Sequence, residues 1–128
     1  MKARVEAGTP VGLLAYAGKE PIGWCSVAPK STYRKLDDLN PDEDPSRIWS
    51  IACFFVKKEW RDQGLTTRFV KAAAELARKR KAVALEAYPV DEDSPSYRFM
   101  GFVPLFAEQG FETIGRAGSR RHVMRLEL

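Results

Sequence analysis

The sequence is poor in the residues that carry most metal and redox chemistry. It has one histidine, His122, and two cysteines, Cys25 and Cys53, at no metal-ligand spacing. A histidine zinc site or a histidine-centred triad is therefore not expected, and no metal is assigned. Both cysteines sit inside apolar segments, which suits reduced, buried thiols in the cytoplasm rather than a disulfide. No apolar run approaches the ~18 residues of a membrane span. MKARVEAGTP, at the start, has no apolar core of a signal peptide. Neither GxxxxGK[ST] nor GxGxxG occurs, so the two commonest glycine-rich nucleotide loops are missing.

What is present is ordinary for one globular domain, taken here as residues 1–128. Hydrophobic residues make up 45%, enough for a core. The net charge is +4, and the basic residues gather at Arg78 to Lys81 and Arg116 to Arg121. Such clusters bind nucleic acid when aromatics are interleaved with them. Here Trp49, Phe54 and Phe55 fall in apolar patterns instead, so no nucleic-acid partner is expected.

Val11 to Ala17 and Ile22 to Ala28 predict a hairpin around Gly18. Pro29 to Ser46 is a long polar loop with a helical turn expected near Tyr33 to Leu36 and an acidic stretch, Asp42 to Asp44. Arg47 to Val56 is apolar on both parities and predicts a central strand, with Trp49, Ile51, Cys53 and Phe55 on one face. Leu65 to Lys81 repeats apolar residues at helical spacing. Ala82 to Tyr88 predicts a parallel strand reached by a right-handed crossover. Phe102 to Gln109 predicts a short helix, and Phe111 to Arg116 with Arg121 to Leu128 a closing hairpin. The fold class is α/β, a single-domain mixed β-sheet flanked by helices.

The junction before the long helix, VKKEWRDQGLTTRF, is more elaborate than a connection needs. A helix start presents four backbone N–H groups without internal partners and a partial positive charge. Gly64 permits close approach, Thr66 and Thr67 add hydroxyls, and Arg61 adds a charge. The combination suits a diphosphate.

This junction resembles the acetyl-CoA-binding motif of the GNAT (GCN5-related N-acetyltransferase) superfamily. The family pattern is Arg/Gln-x-x-Gly-x-Gly/Ala after a strand ending in Val-x-Pro; here it stands as Val56-Lys57-Lys58-Glu59-Trp60-Arg61-Asp62-Gln63-Gly64-Leu65-Thr66. Lys58 replaces the proline and Thr66 the second small residue. FAEQGF, Phe106 to Phe111, matches the aromatic-x-x-x-Gly-Phe element of the family. The resemblance implies an acyl-CoA N-acyltransferase-like fold, with the usual N-terminal strand and helices missing. It implies acetyl-CoA as co-substrate and an amine as acceptor. The cofactor-binding residues it implies are Phe54, Phe55, Val56, Arg61, Asp62, Gln63, Gly64, Leu65, Thr66 and Thr67, with Arg68 or Lys71 towards the nucleotide. A backbone N–H near Phe54 would polarise the thioester. Many members protonate the leaving thiolate with a tyrosine four residues before the glycine of a late Gly-Phe, where this chain has Phe106. Tyr97 is the substitute acid and Glu86 a candidate base. A missing wall of the acceptor site is one a homodimer partner would supply. The alternative is a non-catalytic acyl-CoA-binding module.

Overall fold

Alternation of apolar and polar residues sets up strands that pair in chain order at one side of the sheet. The computed structural model describes residues 3–8, 12–33, 39 and 42–128, the first segment as backbone only. Strands β1 (Ala3–Gly8), β2 (Gly12–Ala17), β3 (Glu20–Pro29) and β4 (Ile48–Val56) are followed by helix α1 (Leu65–Lys79) and strand β5 (Ala84–Ala87). Helix α2 (Val103–Ala107) and strands β6 (Glu112–Ala117) and β7 (Arg121–Glu127) complete the chain. All seven described strands form one sheet, in the order β1-β2-β3-β4-β5-β7-β6. Among the described strands only β4 and β5 pair in parallel, as the intervening helix dictates.

The strand expected to be missing is present. β1 pairs antiparallel with β2, from Ala3↔Ala17 to Gly8↔Gly12. Residues 9–11 alone separate the two strands, too few for the helix pair that the resemblance places there. A 3-10 turn forms at Lys30–Thr32. The turn expected near Tyr33 to Leu36 falls mostly outside the described residues.

Helix α1 buries Leu65, Phe69, Ala73 and Ala77 along one stripe, with Val70 and Ala74 beside them. They pack on Leu13, Ile22, Val27, Ile51, Leu85 and Met124 of the sheet, and Phe106 of α2 joins the same core. On the opposite face, Tyr88, Met100, Ala117 and Val123 form a smaller cluster.

The face assignment for β4 needs correcting. Ser26 pairs with Cys53 and Val27 with Ile51, which leaves Ala52 as an extra residue in β4. A bulge of this kind shifts the side-chain alternation by one. Trp49 and Ile51 face α1, and beyond the bulge Phe54 and Val56 do, not Cys53 and Phe55. Phe55 is 56% exposed, so β4 is covered on both faces only along its first half.

Candidate functional site

The bulge coincides with a fork in the sheet. Pairing between β4 and β5 ends at Ile51↔Ala87, while β4 continues to Val56. Past Ala87 the chain leaves β4, and Val90 bridges Phe102 and Arg121 instead. Among the described residues no strand borders Ala52 to Val56 on that side. Backbone groups of a strand need partners, so an unpaired edge inside the sheet is a place for water or a ligand. At the fork itself, the buried Ser50 and Tyr88 hydroxyls hydrogen-bond at 2.7 Å and hold the two strands together.

A cleft of about 660 Å³ runs from this fork to the start of α1. Phe54, Phe55 and Val56 form one wall, and Gly101, Phe102 and Leu105 the other. Trp60, Arg61, Asp62, Gly64, Leu65 and Thr66 surround its mouth. The cleft thus gathers eight of the ten residues proposed for the cofactor; Gln63 and Thr67 stand outside its lining.

The start of α1 is open. Gly64 is the N-cap with φ 78° and ψ 11°, no side chain caps the helix, and no acidic residue occupies its first turn. A Cβ on Gly64 would meet nothing within 4 Å, so the turn is open at that position. The neighbouring side chains brace the turn. Arg61 donates from Nε to the Val56 carbonyl at 3.1 Å, and Gln63 from Nε2 to the Glu59 carbonyl at 2.9 Å. Asp62 also takes positive φ, 62°. Lys71 borders a separate groove with Ala74 and Arg78.

Glu86 is not an open base. It is 1% exposed, and Lys30 Nζ lies 2.7 Å from Oε1 and an Arg125 terminal nitrogen 3.1 Å from Oε2. Arg125 also makes two bonds to Glu43, at 2.7 and 2.9 Å. This network ties β5 and β7 to the long loop before β4. Cys25 is fully buried, and burial pushes its thiol far above the ordinary cysteine range, so it is no nucleophile. Both cysteines are free of disulfides.

None of the FAEQGF residues lines the cleft. Phe106 is fully buried, with its ring 6.1 Å from Phe54 and 5.3 Å from Phe111, so that stretch is core. The same spacing recurs in YRFMGF, from Tyr97 to Gly101-Phe102, and this copy borders the cleft through Arg98, Phe99, Gly101 and Phe102. Tyr97 has φ 58° and precedes the 3-10 turn Arg98–Met100. It is 42% exposed, and the Arg121 guanidinium lies 4.8 Å from its ring centre. Its ring is outside the cleft lining, so the structure brings its neighbours to the cleft and not Tyr97 itself.

The two basic clusters do not merge. Arg78 to Lys81 precede the start of β5, while Arg121 bridges Val90 beyond its end. Among the described residues, no group of three or more His, Cys, Asp or Glu could hold a metal ion. No described helix is long and apolar enough to cross a membrane.

A model described as "Acetyltransferase (GNAT) family" matches residues 2–102, ending at Phe102 of the YRFMGF element. No curated protein matches the sequence. Among solved structures, the PaiA N-acetyltransferase of Thermoplasma acidophilum in complex with coenzyme A is 15% identical with a TM-score of 0.60; the match covers 91% of this chain and 60% of that one. The ribosomal-protein-alanine N-acetyltransferase of Brucella melitensis is 21% identical with a TM-score of 0.65, covering 91% and 68%. A GCN5-related N-acetyltransferase from Kribbella flavida is 17% identical with a TM-score of 0.66, covering 95% and 71%. The fold is shared with all three, and this chain spans less than two thirds of the Thermoplasma protein.

Proposed function

The chain belongs to the GNAT acetyltransferase family, and on that footing we propose that it moves an acetyl group from acetyl-CoA to an amine, on a small molecule or a protein. One observation carries the reading: an uncapped helix start opens into the same cleft as the unpaired edge of β4. The first supplies donors for a diphosphate. The second supplies backbone groups for the amides of a pantetheine arm. The fit is chemical as well as spatial, since apolar walls at Phe54, Val56 and Leu105 lead to a polar mouth.

Acetyl-CoA supplies an activated thioester. In the reading proposed here, amides from Gly64 to Thr66 hold the diphosphate while Arg61 and Gln63 keep the turn in shape. A backbone N–H near Phe54 stabilises the carbonyl oxygen as negative charge develops on it. Tyr97, whose neighbours line the cleft, is the acid in this reading: it gives its hydroxyl proton to the departing thiolate and regains one from solvent. Because Lys30 and Arg125 occupy Glu86, the proton lost by the amine passes to solvent. Two free thiols go with a reducing compartment, the cytoplasm.

Titration calorimetry with acetyl-CoA tests the reading. Saturable one-to-one binding is expected, followed by thiol release in a panel of amines. No heat of binding at millimolar acetyl-CoA would overturn it. Binding without thiol release from any amine would leave a carrier and not an enzyme.

A further inference from the structure

We propose that Phe54 limits the length of the acyl chain that the cleft accepts. The inference rests on the reading of the cleft as an acyl-CoA site. The helix start fixes the phosphate end at Gly64. From there the wall runs inward along β4, from Val56 to Phe54, and the fork closes at Ile51↔Ala87. The reactive end of a bound pantetheine arm therefore lies beside Phe54.

Phe54 is the β4 residue of the cleft lining that stands nearest the fork. Across from it stands Gly101, and a Cβ built there would lie 3.1 Å from Phe54 Cε2 and 3.0 Å from Phe106 Cε2. The ring thus abuts the opposite wall at a position with no side chain. Two core rings brace it: Phe69 of α1 at 6.3 Å and Phe106 of α2 at 6.1 Å between centres. Both are fully buried, so neither yields without disturbing the core. A two-carbon acyl group ends before this barrier. Each further methylene has to displace the Phe54 ring or turn out of the cleft.

The test compares binding of CoA, acetyl-CoA and hexanoyl-CoA to the wild type and to Phe54→Ala by calorimetry. In the wild type, hexanoyl-CoA is expected to bind no more tightly than acetyl-CoA. In Phe54→Ala the extra methylenes enter the vacated space, and hexanoyl-CoA should bind about tenfold or more tightly than acetyl-CoA. Phe54→Leu, which keeps the apolar contact with the core, should give an intermediate gain and serves if the alanine variant does not fold. Affinity that rises with chain length in the wild type overturns the inference. So does a chain-length profile that neither substitution alters. Failure of CoA itself to bind the wild type sinks the acyl-CoA reading beneath it, which sets the two failures apart.

Discussion

Lys30 Nζ lies 2.7 Å from Glu86 Oε1, and this contact decides what Glu86 does. The carboxylate is almost fully enclosed, and Arg125 takes its other oxygen. A buried charge with two charged partners is bound to them more firmly than to any proton-transfer task. Truncating it leaves two cations facing a void. Glu86→Ala should therefore lower unfolding stability by about 3–5 kcal/mol, the cost of breaking a buried ion pair. Denaturant titration measures this. If Glu86→Gln kept full stability but lost turnover, the residue would belong to the chemistry after all.

Gly64 allows steric and electrostatic effects to be separated. Its φ of 78° disfavours any side chain, yet a Cβ there touches nothing. Gly64→Ala should cost about 1–2 kcal/mol of stability through backbone strain and leave the folded protein able to bind acetyl-CoA. Gly64→Glu adds a carboxylate beside the proposed diphosphate and should weaken binding about a hundredfold or more, as like charges in contact do. Equal affinities for the two variants would remove this turn from the site.

Tyr97 is tested through rate and not affinity. Tyr97→Phe keeps the ring beside Arg121 and removes only the hydroxyl. As the acid for the leaving thiolate, its loss should lower kcat by about a hundredfold, while acetyl-CoA affinity stays within twofold of wild type, roughly the scatter of a neutral change. A kcat within a factor of three, in steady-state thiol release, would return Tyr97 to a packing role.

The junction was legible because its signals are local. A glycine before a helix, with no acid in the first turn, reads the same in sequence and in space. The fork was not, because IWSIACFFV is apolar at both parities and only the pairing with β3 shows that Ala52 is extra. β1 has only a weak local pattern: Ala3, Val5 and Ala7 alternate with Arg4 and Glu6, and alanine is a poor strand former. Two Gly-Phe pairs, Gly101-Phe102 and Gly110-Phe111, each have an aromatic four residues earlier. Spacing cannot choose between them. They differ in burial: Phe106 is sealed in the core, while Arg98, Phe99, Gly101 and Phe102 of the other copy line the cleft. The Glu86 network joins residues from four distant segments, Lys30, Glu43, Glu86 and Arg125, which no local pattern announces.

The two thiols should differ in reactivity. Cys25 lies in the core with its thiol pushed far up by burial, whereas Cys53 follows the bulge and is partly exposed. Iodoacetamide on the native protein should label Cys53 at least tenfold faster than Cys25, since Cys53 is partly exposed and burial suppresses the Cys25 thiolate. Mass mapping of the alkylated peptides reads the ratio. Equal rates would show that the core around Cys25 opens as often as the rim.

Acid should weaken the tether between the long loop and β7. Hydrogen bonds from Arg125 hold the Glu43 carboxyl below the usual glutamate range. A carboxylate more acidic in the folded than in the unfolded chain stabilises the folded state when ionised. Its contribution is complete above the unfolded value, near ~4.3, and is lost as pH falls through the lowered folded value. Glu43 is partly exposed, so water screens the pair and the contribution at neutral pH is on the order of 1 kcal/mol or less. Glu43→Gln removes the titration and keeps the shape. Its unfolding free energy should lie below wild type at pH 7, and the gap should narrow as the pH falls below the unfolded value. Denaturant titrations across that range measure the gap. A gap that stayed constant from pH 7 through the acid range would mean that the side chain stabilises by packing and not by its charge.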